Sequence, residues 1–276
     1  MILRKHLNPF FGKKFLDEIT KKDIKVYRSK KLQAGYAKKT VNNHLAVLSK
    51  ILNEAEEEDL ILHAPRVKQL KTPPSTFDFL TVEESNVLID SAEDEWKTMI
   101  LLALRTGLRQ GELLGLQWKD VNFEKGFISV QRSLHRGRIG SPKSNKGRVV
   151  PLSDEAVDAL IAHKHSKSHF VFCQKNGDPL SDGKCKSPLK RAVKRAELRN
   201  VGWHMLRHTF ASHLVQAGIN ILKVKEFLGH SDIRITMRYA HLNPEIDRNS
   251  VNLLDTYSTY TARNLVQISN YRKSLG

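Results

Sequence analysis

The run from Trp96 to Leu104, Trp-Lys-Thr-Met-Ile-Leu-Leu-Ala-Leu, constrains the fold of this chain more than any other stretch. Wound into a helix it is apolar on nearly every side, and such a helix has to be enclosed all round. A bilayer could enclose it only if the apolar run reached about 20 residues, and Met99 to Leu104 is far shorter. The chain must therefore build a core of its own around this segment. Neither a signal peptide nor an apolar run of spanning length is present elsewhere. A cytoplasmic protein is expected.

The 276 residues leave room for two cores, and the sequence marks where they separate. In Lys71-Thr72-Pro73-Pro74-Ser75-Thr76 two prolines stop any helix among small and polar neighbours. This break divides the chain into residues 1–72, a second domain over 73–245 and a tail over 246–276. The first part reads as helical throughout. Thr20 with Asp23 forms a capping box that opens a helix carrying Ile24, Tyr27 and Leu32, and Gly35 ends it. Val41, Leu45, Leu48, Leu52 and Ala55 then recur at spacings of four, three, four and three residues, which is one apolar stripe.

In the second domain Thr81 and Glu84 make another capping box. Gly107 breaks the buried helix, and a new one begins near Arg109, with Arg109 and Glu112 three apart on one face. Phe127, Ile128 and Val130 have strand character. Val149 to Leu152 closes a hairpin across turn-forming residues, which places Lys143 near a β-turn. The expected fold is mainly α: an all-helical N-terminal domain, then a mixed α+β domain with a small antiparallel sheet.

Charge points to the partner. There are 46 Lys and Arg against 29 Asp and Glu, a net +17, and such an excess suits a polyanion, most often nucleic acid. No basic amphipathic helix with a large aromatic face stands out, so a membrane surface fits less well. Residues 1–75 hold 16 basic and 8 acidic side chains. Lys21, Lys22, Lys25, Lys38 and Lys39 are the candidate phosphate-backbone contacts, able to position DNA without reading its sequence. A simple solvated face is the other reading of each one. Cys173 and Cys185 are too few for a disulfide framework or a Cys-based zinc site. His163, His165 and His169 lie among Lys and Ser and read as a surface loop.

The chemistry gathers late in the chain. His204-Met205-Leu206-Arg207-His208 fits a helix with Leu206, Phe210, Leu214 and Ala217 on its core side and the polar groups at the edge of that face. Arg207 offers a fixed guanidinium fork to a phosphate. His204 and His230 can donate hydrogen bonds. Tyr239, nine residues beyond His230, is an oxygen nucleophile that needs such neighbours. His204 and His208 share the spacing of a helical zinc pair, but no Glu accompanies them and Arg207 repels a cation. Ser231 is placed to cap a short helix ending at Tyr239.

Thr106-Gly107-Leu108-Arg109 with Glu112, Lys143 ahead of Arg148-Val149-Val150-Pro151-Leu152, His204 to His208, Leu228-Gly229-His230 and Tyr239 stand together in order and spacing. The set resembles the tyrosine recombinases, the phage integrases and Xer-type enzymes, over nearly the whole chain. The resemblance implies the fold of that family, with a SAM-like core-binding domain shortened at its N-terminus. It implies that Arg109 and Arg207 clamp a scissile phosphate, that His230 donates to a non-bridging oxygen and that His204 supports the same site. It makes Lys143 the acid for the leaving 5′-oxygen, Glu112 a support behind Arg109, and Tyr239 the nucleophile; His208 is expected to be structural. It further implies double-stranded DNA as substrate, a homotetramer across two DNA sites, DNA-bending accessory proteins as partners, a bacterial or phage origin, and a tail that docks in cis or on a neighbouring protomer. No cofactor and no metal is expected.

Two other functions stay open on sequence alone: a DNA-binding accessory protein of the same fold without strand transfer, and a relaxase resembling the type IB topoisomerases. The complete residue set speaks against the first. The helical clamp and small size fit a recombinase better than the second.

Overall fold

The structure is a computed structural model, and it describes residues 1–73, 77–141 and 147–243. The chain divides into two compact units, Met1–Thr76 and Phe77–Gly276. Both are dominated by helices, with small antiparallel sheets in the second.

The first unit opens with a π-helical turn, Leu3–Leu7, that runs into α1 (Asn8–Phe11). It continues through α2 (Lys21–Gln33) and α3 (Lys38–Glu57). The capping box at Thr20 forms as read: the Asp23 N–H donates to Thr20 Oγ1, and the Thr20 N–H to Asp23 Oδ2. All five residues of the α3 stripe are buried against Leu7, Phe11, Ile24 and Tyr27. At about 1.5–3 kcal/mol per fully buried large aliphatic or aromatic side chain, this cluster holds the unit together. Among the described residues, polarity enters that core where the Tyr27 hydroxyl meets His44 Nδ1 at 3.0 Å. Lys21, Lys22, Lys25, Lys38 and Lys39 are exposed near the starts of α2 and α3.

The second unit is built around the apolar helix. α4 (Val82–Asp90) starts at the Thr81–Glu84 capping box, and α5 (Asp94–Thr106) follows it. Met99 to Leu104 are each at most 6 % exposed. They are enclosed by α4 and four later helices: α6 (Gln110–Leu114), α7 (Asp154–His163), α8 (Lys186–Arg195) and α9 (Trp203–Gln216). α10 (Ile221–Leu228) and α11 (Ile233–Thr236) lead into a 3₁₀ turn, Met237–Leu242, that carries Tyr239.

The strands differ in part from expectation. β1 (Val121–Asn122), β2 (Phe127–Val130) and a later strand at Arg148–Pro151 form one antiparallel sheet, with Ile128 opposite Val150. Between them stands a second hairpin, β3 (Ser133–His135) with β4 (Arg138–Gly140), which the sequence did not announce. Its two-residue turn, Arg136-Gly137, takes positive φ at both positions, as a tight hairpin requires. The later strand is β5. Residues 142–146, and with them Lys143, lie outside the described residues, as does the tail beyond Asn243. No helix among the described residues is long and apolar enough to cross a membrane.

Candidate active site

Two glycines set the geometry. Gly107 ends α5 in the left-handed region, at φ 61°. A Cβ there would stand 2.3 Å from Phe210 Cδ1, so glycine is also what lets α9 approach. Gly229 ends α10 at φ 62°, and a Cβ there would stand 2.7 Å from Arg148 Cδ. Both helix ends therefore present their final carbonyls toward α9 and β5. Arg207, on α9 and 2 % exposed, takes both: Nη1 donates to Gly107 O and Nη2 to Leu228 O, each at 2.6 Å. One guanidinium thus joins the ends of α5 and α10.

Arg109 is the residue before α6 begins. Its backbone N–H donates to Glu112 Oε2 at 2.8 Å and its Nη1 to Glu112 Oε1 at 2.9 Å. From β5, Arg148 meets the same carboxylate bidentately, at 2.9 and 2.7 Å. Its Nε donates to Phe227 O at 2.7 Å. Burial pushes the Glu112 carboxyl up, but the hydrogen bonds and charge of Arg148 and the Arg109 N–H outweigh it and hold it at about 2. Glu112 is therefore an anion that fixes two arginines. The sequence presented Arg148 as part of a strand motif and gave no sign that it reaches Glu112. No spacing rule connects positions 36 residues apart.

Arg109, His204, Arg207, His208, His230 and Tyr239 line one pocket of about 280 Å³, with Arg238 beside them. The structure brings the sequence candidates of this unit together there, apart from Glu112, which stands behind Arg109, and Lys143, which lies outside the described residues. No carboxylate lines the pocket among the described residues. Burial first, and then the pocket's cations, shift the titration of its members. Burial, then the Arg109 charge, lower the Arg207 guanidinium to about 9, still a cation at neutral pH. Burial, then Arg207 and Arg109, lower His230 to about 3. His230 is therefore a neutral imidazole, where the sequence suggested a group that titrates. Its Nδ1 meets Thr236 Oγ1 at 2.9 Å; with the hydroxyl donating, Nε2 carries the proton. Burial raises the Tyr239 phenol, against the pull of Arg207 and Arg238.

One expectation changes. Asp232, not Ser231, caps α11, accepting from the Arg234 N–H at 2.9 Å. Its carboxylate reaches the second N–H of the helix, where Ser231 stands one residue too early. His208, expected to be structural, touches the candidate nucleophile: its Nδ1 lies 2.5 Å from Tyr239 Oη. The helix face was legible, but not which of its histidines meets a side chain 31 residues on. Elsewhere in this unit, His163 ends α7 and residues 164–169 form the expected loop, with His169 exposed and His163 and His165 half-buried beside Cys173 on a cleft of about 390 Å³. No three His, Cys, Asp or Glu among the described residues are grouped as a metal would need.

The model of the phage integrase family matches residues 78–245, more than half of the chain. The chain belongs to this family. It is an enzyme of the tyrosine recombinase type. Tyrosine recombinase XerA of Pyrococcus furiosus (strain ATCC 43587 / DSM 3638 / JCM 8422 / Vc1) is 30% identical over 265 residues, covering 89% of this chain and 87% of the relative. The ICEBs1 integrase of Bacillus subtilis (strain 168) is 28% identical over 278 residues, covering 92% of this chain and 75% of the relative. Among solved structures, the Tn1549 transposon integrase in complex with transposon right end DNA superposes with a TM-score of 0.76. It is 24% identical, with 94% of this chain and 91% of that one covered. At that identity the likeness speaks for the fold, which is that of an integrase.

Proposed function

We propose that this integrase performs site-specific DNA recombination through a covalent 3′-phosphotyrosine on Tyr239, integrating or excising a mobile element. The observation that carries this reading is the convergence of two arginines, His230 and a tyrosine on one cationic pocket with no carboxylate lining it among the described residues. A phosphodiester resists attack because negative charge builds on its oxygens. Arg109 and Arg207, already fixed by Glu112 and by two carbonyls, need little reorganisation to stabilise that charge. His230 donates from Nε2 to a non-bridging oxygen, and His204 supports the same phosphate. Tyr239 attacks phosphorus and the 5′-oxygen leaves, protonated by Lys143. The phosphoester link is kept on Tyr239, so rejoining needs no external energy source.

The charge stabilisation comes from guanidinium groups, and the reading requires no metal or cofactor. Lys21, Lys22, Lys25, Lys38 and Lys39 supply backbone contacts that hold double-stranded DNA without specifying its sequence. The active assembly is a homotetramer spanning two DNA sites in the cytoplasm, assisted by DNA-bending proteins.

A nicked suicide duplex drawn from the DNA flanking the gene tests the reading. The protein should form a covalent adduct in the presence of EDTA, and Tyr239→Phe should form none. An adduct that persists in Tyr239→Phe, or that requires magnesium, would contradict it. For Lys143, a 5′-bridging sulfur should restore cleavage in Lys143→Ala, because a thiolate leaves without an acid. Absence of rescue would remove Lys143 from that role.

A further inference from the structure

The contact between His208 and the nucleophile has no role in the assignment above. His208 Nδ1 and Tyr239 Oη stand 2.5 Å apart, at the short end of the range for a hydrogen bond. The pair is held from one side by Phe77, whose ring stacks on the imidazole at 5.2 Å and meets the phenol edge-on at 4.8 Å. From the preceding turn of α9, His204 packs edge-on against His208 with centroids 4.5 Å apart. His230, the other imidazole in the pocket, has its Nδ1 engaged with Thr236.

We propose that His208 is the proton acceptor for Tyr239, its Nδ1 taking the phenolic proton during cleavage and returning it during rejoining. This rests on the transesterification proposed above. In cleavage the bond from Tyr239 Oη to phosphorus forms and the bond from phosphorus to the 5′-oxygen breaks. The phenolic proton passes to His208 Nδ1, and the leaving oxygen takes a proton from a separate acid, assigned to Lys143. In rejoining, the 5′-hydroxyl attacks phosphorus and returns its proton to Lys143, the bond from phosphorus to Tyr239 Oη breaks, and His208 gives its proton back to the phenol oxygen. No electrons are exchanged with any other group.

The surroundings favour the required state of the ring. The charged or titratable groups facing it are His204 and Arg207 from α9 and Arg238 and Tyr239 from the 3₁₀ turn, while the segment before α4 presents the uncharged Phe77 ring. Burial, then His204, Arg238 and Arg207, lower the imidazole to about 4, so it is neutral near pH 7 with a lone pair to offer. Accepting at Nδ1 requires the tautomer with its proton on Nε2. A phosphodiester entering the pocket offsets the cations that depress His208. As the new oxygen–phosphorus bond forms, the phenolic proton becomes far more acidic, and transfer to imidazole turns favourable in the transition state.

The test uses the full chain and the nicked suicide duplex in single-turnover cleavage across neutral pH. His208→Asn keeps an oxygen that can accept the hydrogen bond but cannot take the proton. It should bind the duplex as tightly as the wild type and form adduct about 10²–10⁴-fold more slowly, with a rate that rises as pH increases. Free imidazole should restore part of the rate in His208→Ala. Wild-type cleavage by His208→Asn would overturn the proposal. So would a slow rate with a wild-type pH profile and no imidazole rescue, since His208 would then only hold Tyr239 in place. If the wild type itself formed no adduct, the transesterification would fail, and this role with it. Adduct in the wild type, its loss in Tyr239→Phe and full activity in His208→Asn would remove this role alone.

Discussion

Replacing Arg148 by Met isolates the buried charge network behind the pocket. The side chains of Arg148 and Glu112 are only 7 % and 1 % exposed, and Met keeps most of the aliphatic volume while deleting the charge and the fork. Glu112 is held at about 2 against an ordinary 4.5, which corresponds to about 3 kcal/mol of stability at neutral pH. Loss of one member of a buried ion pair independently costs about 3–5 kcal/mol, so the two routes agree. The sign follows from the depressed pKa. The contribution is complete above the unfolded carboxyl's pKa and disappears as pH falls from 4.5 toward 2. Urea unfolding of Arg148→Met at neutral pH should show a loss of about 3 kcal/mol, and that gap should narrow in acid as Glu112 is protonated in both proteins. A loss below about 1 kcal/mol, the level of an exposed pair, or a gap independent of pH, would refute the reasoning.

Arg207→Lys supplies one point charge in place of a fork that spans Gly107 O and Leu228 O; adduct formation should fall by about 10²–10³-fold while DNA binding, measured by fluorescence anisotropy, is largely kept. Gly107→Ala combines left-handed strain with a contact 2.3 Å from Phe210 and should lower stability by about 2–4 kcal/mol in chemical denaturation. Replacing Lys21, Lys22, Lys25, Lys38 and Lys39 together by Gln should flatten the slope of log affinity against log salt by about 0.9 for each phosphate that is no longer neutralised. Cleavage at saturating protein should survive that change, and an unaltered slope would show that these lysines are only a solvated face.

What could be read from sequence divides along physical lines. Capping boxes at Thr20 and Thr81, the α3 stripe and the apolar run Met99 to Leu104 of α5 are written in the local sequence, and the structure keeps them. The β3–β4 hairpin escaped because its strands are three residues each and β4 is fully exposed, leaving no alternation to detect. Arg109, Arg207, His230 and Tyr239 were found by their order along the chain. Their shared pocket depends on Gly107 and Gly229, whose role is steric and has no periodic signature. The contacts of Arg148 with Glu112 and of His208 with Tyr239 were missed for one reason: each forms only after the fold closes, between positions 36 and 31 residues apart in sequence. A motif names neighbours in the chain, and hydrogen bonds across α9, β5 and the 3₁₀ turn are set by packing.

The most direct test of the central claim is to identify the atom that holds the DNA. The covalent adduct formed in EDTA on a nicked duplex can be digested and its nucleotide-bearing peptide sequenced by mass spectrometry. The predicted result is a 3′-phosphate on Tyr239. Modification of a tyrosine in the tail over 246–276, Tyr257 or Tyr260, or a 5′-phosphate linkage, would contradict it.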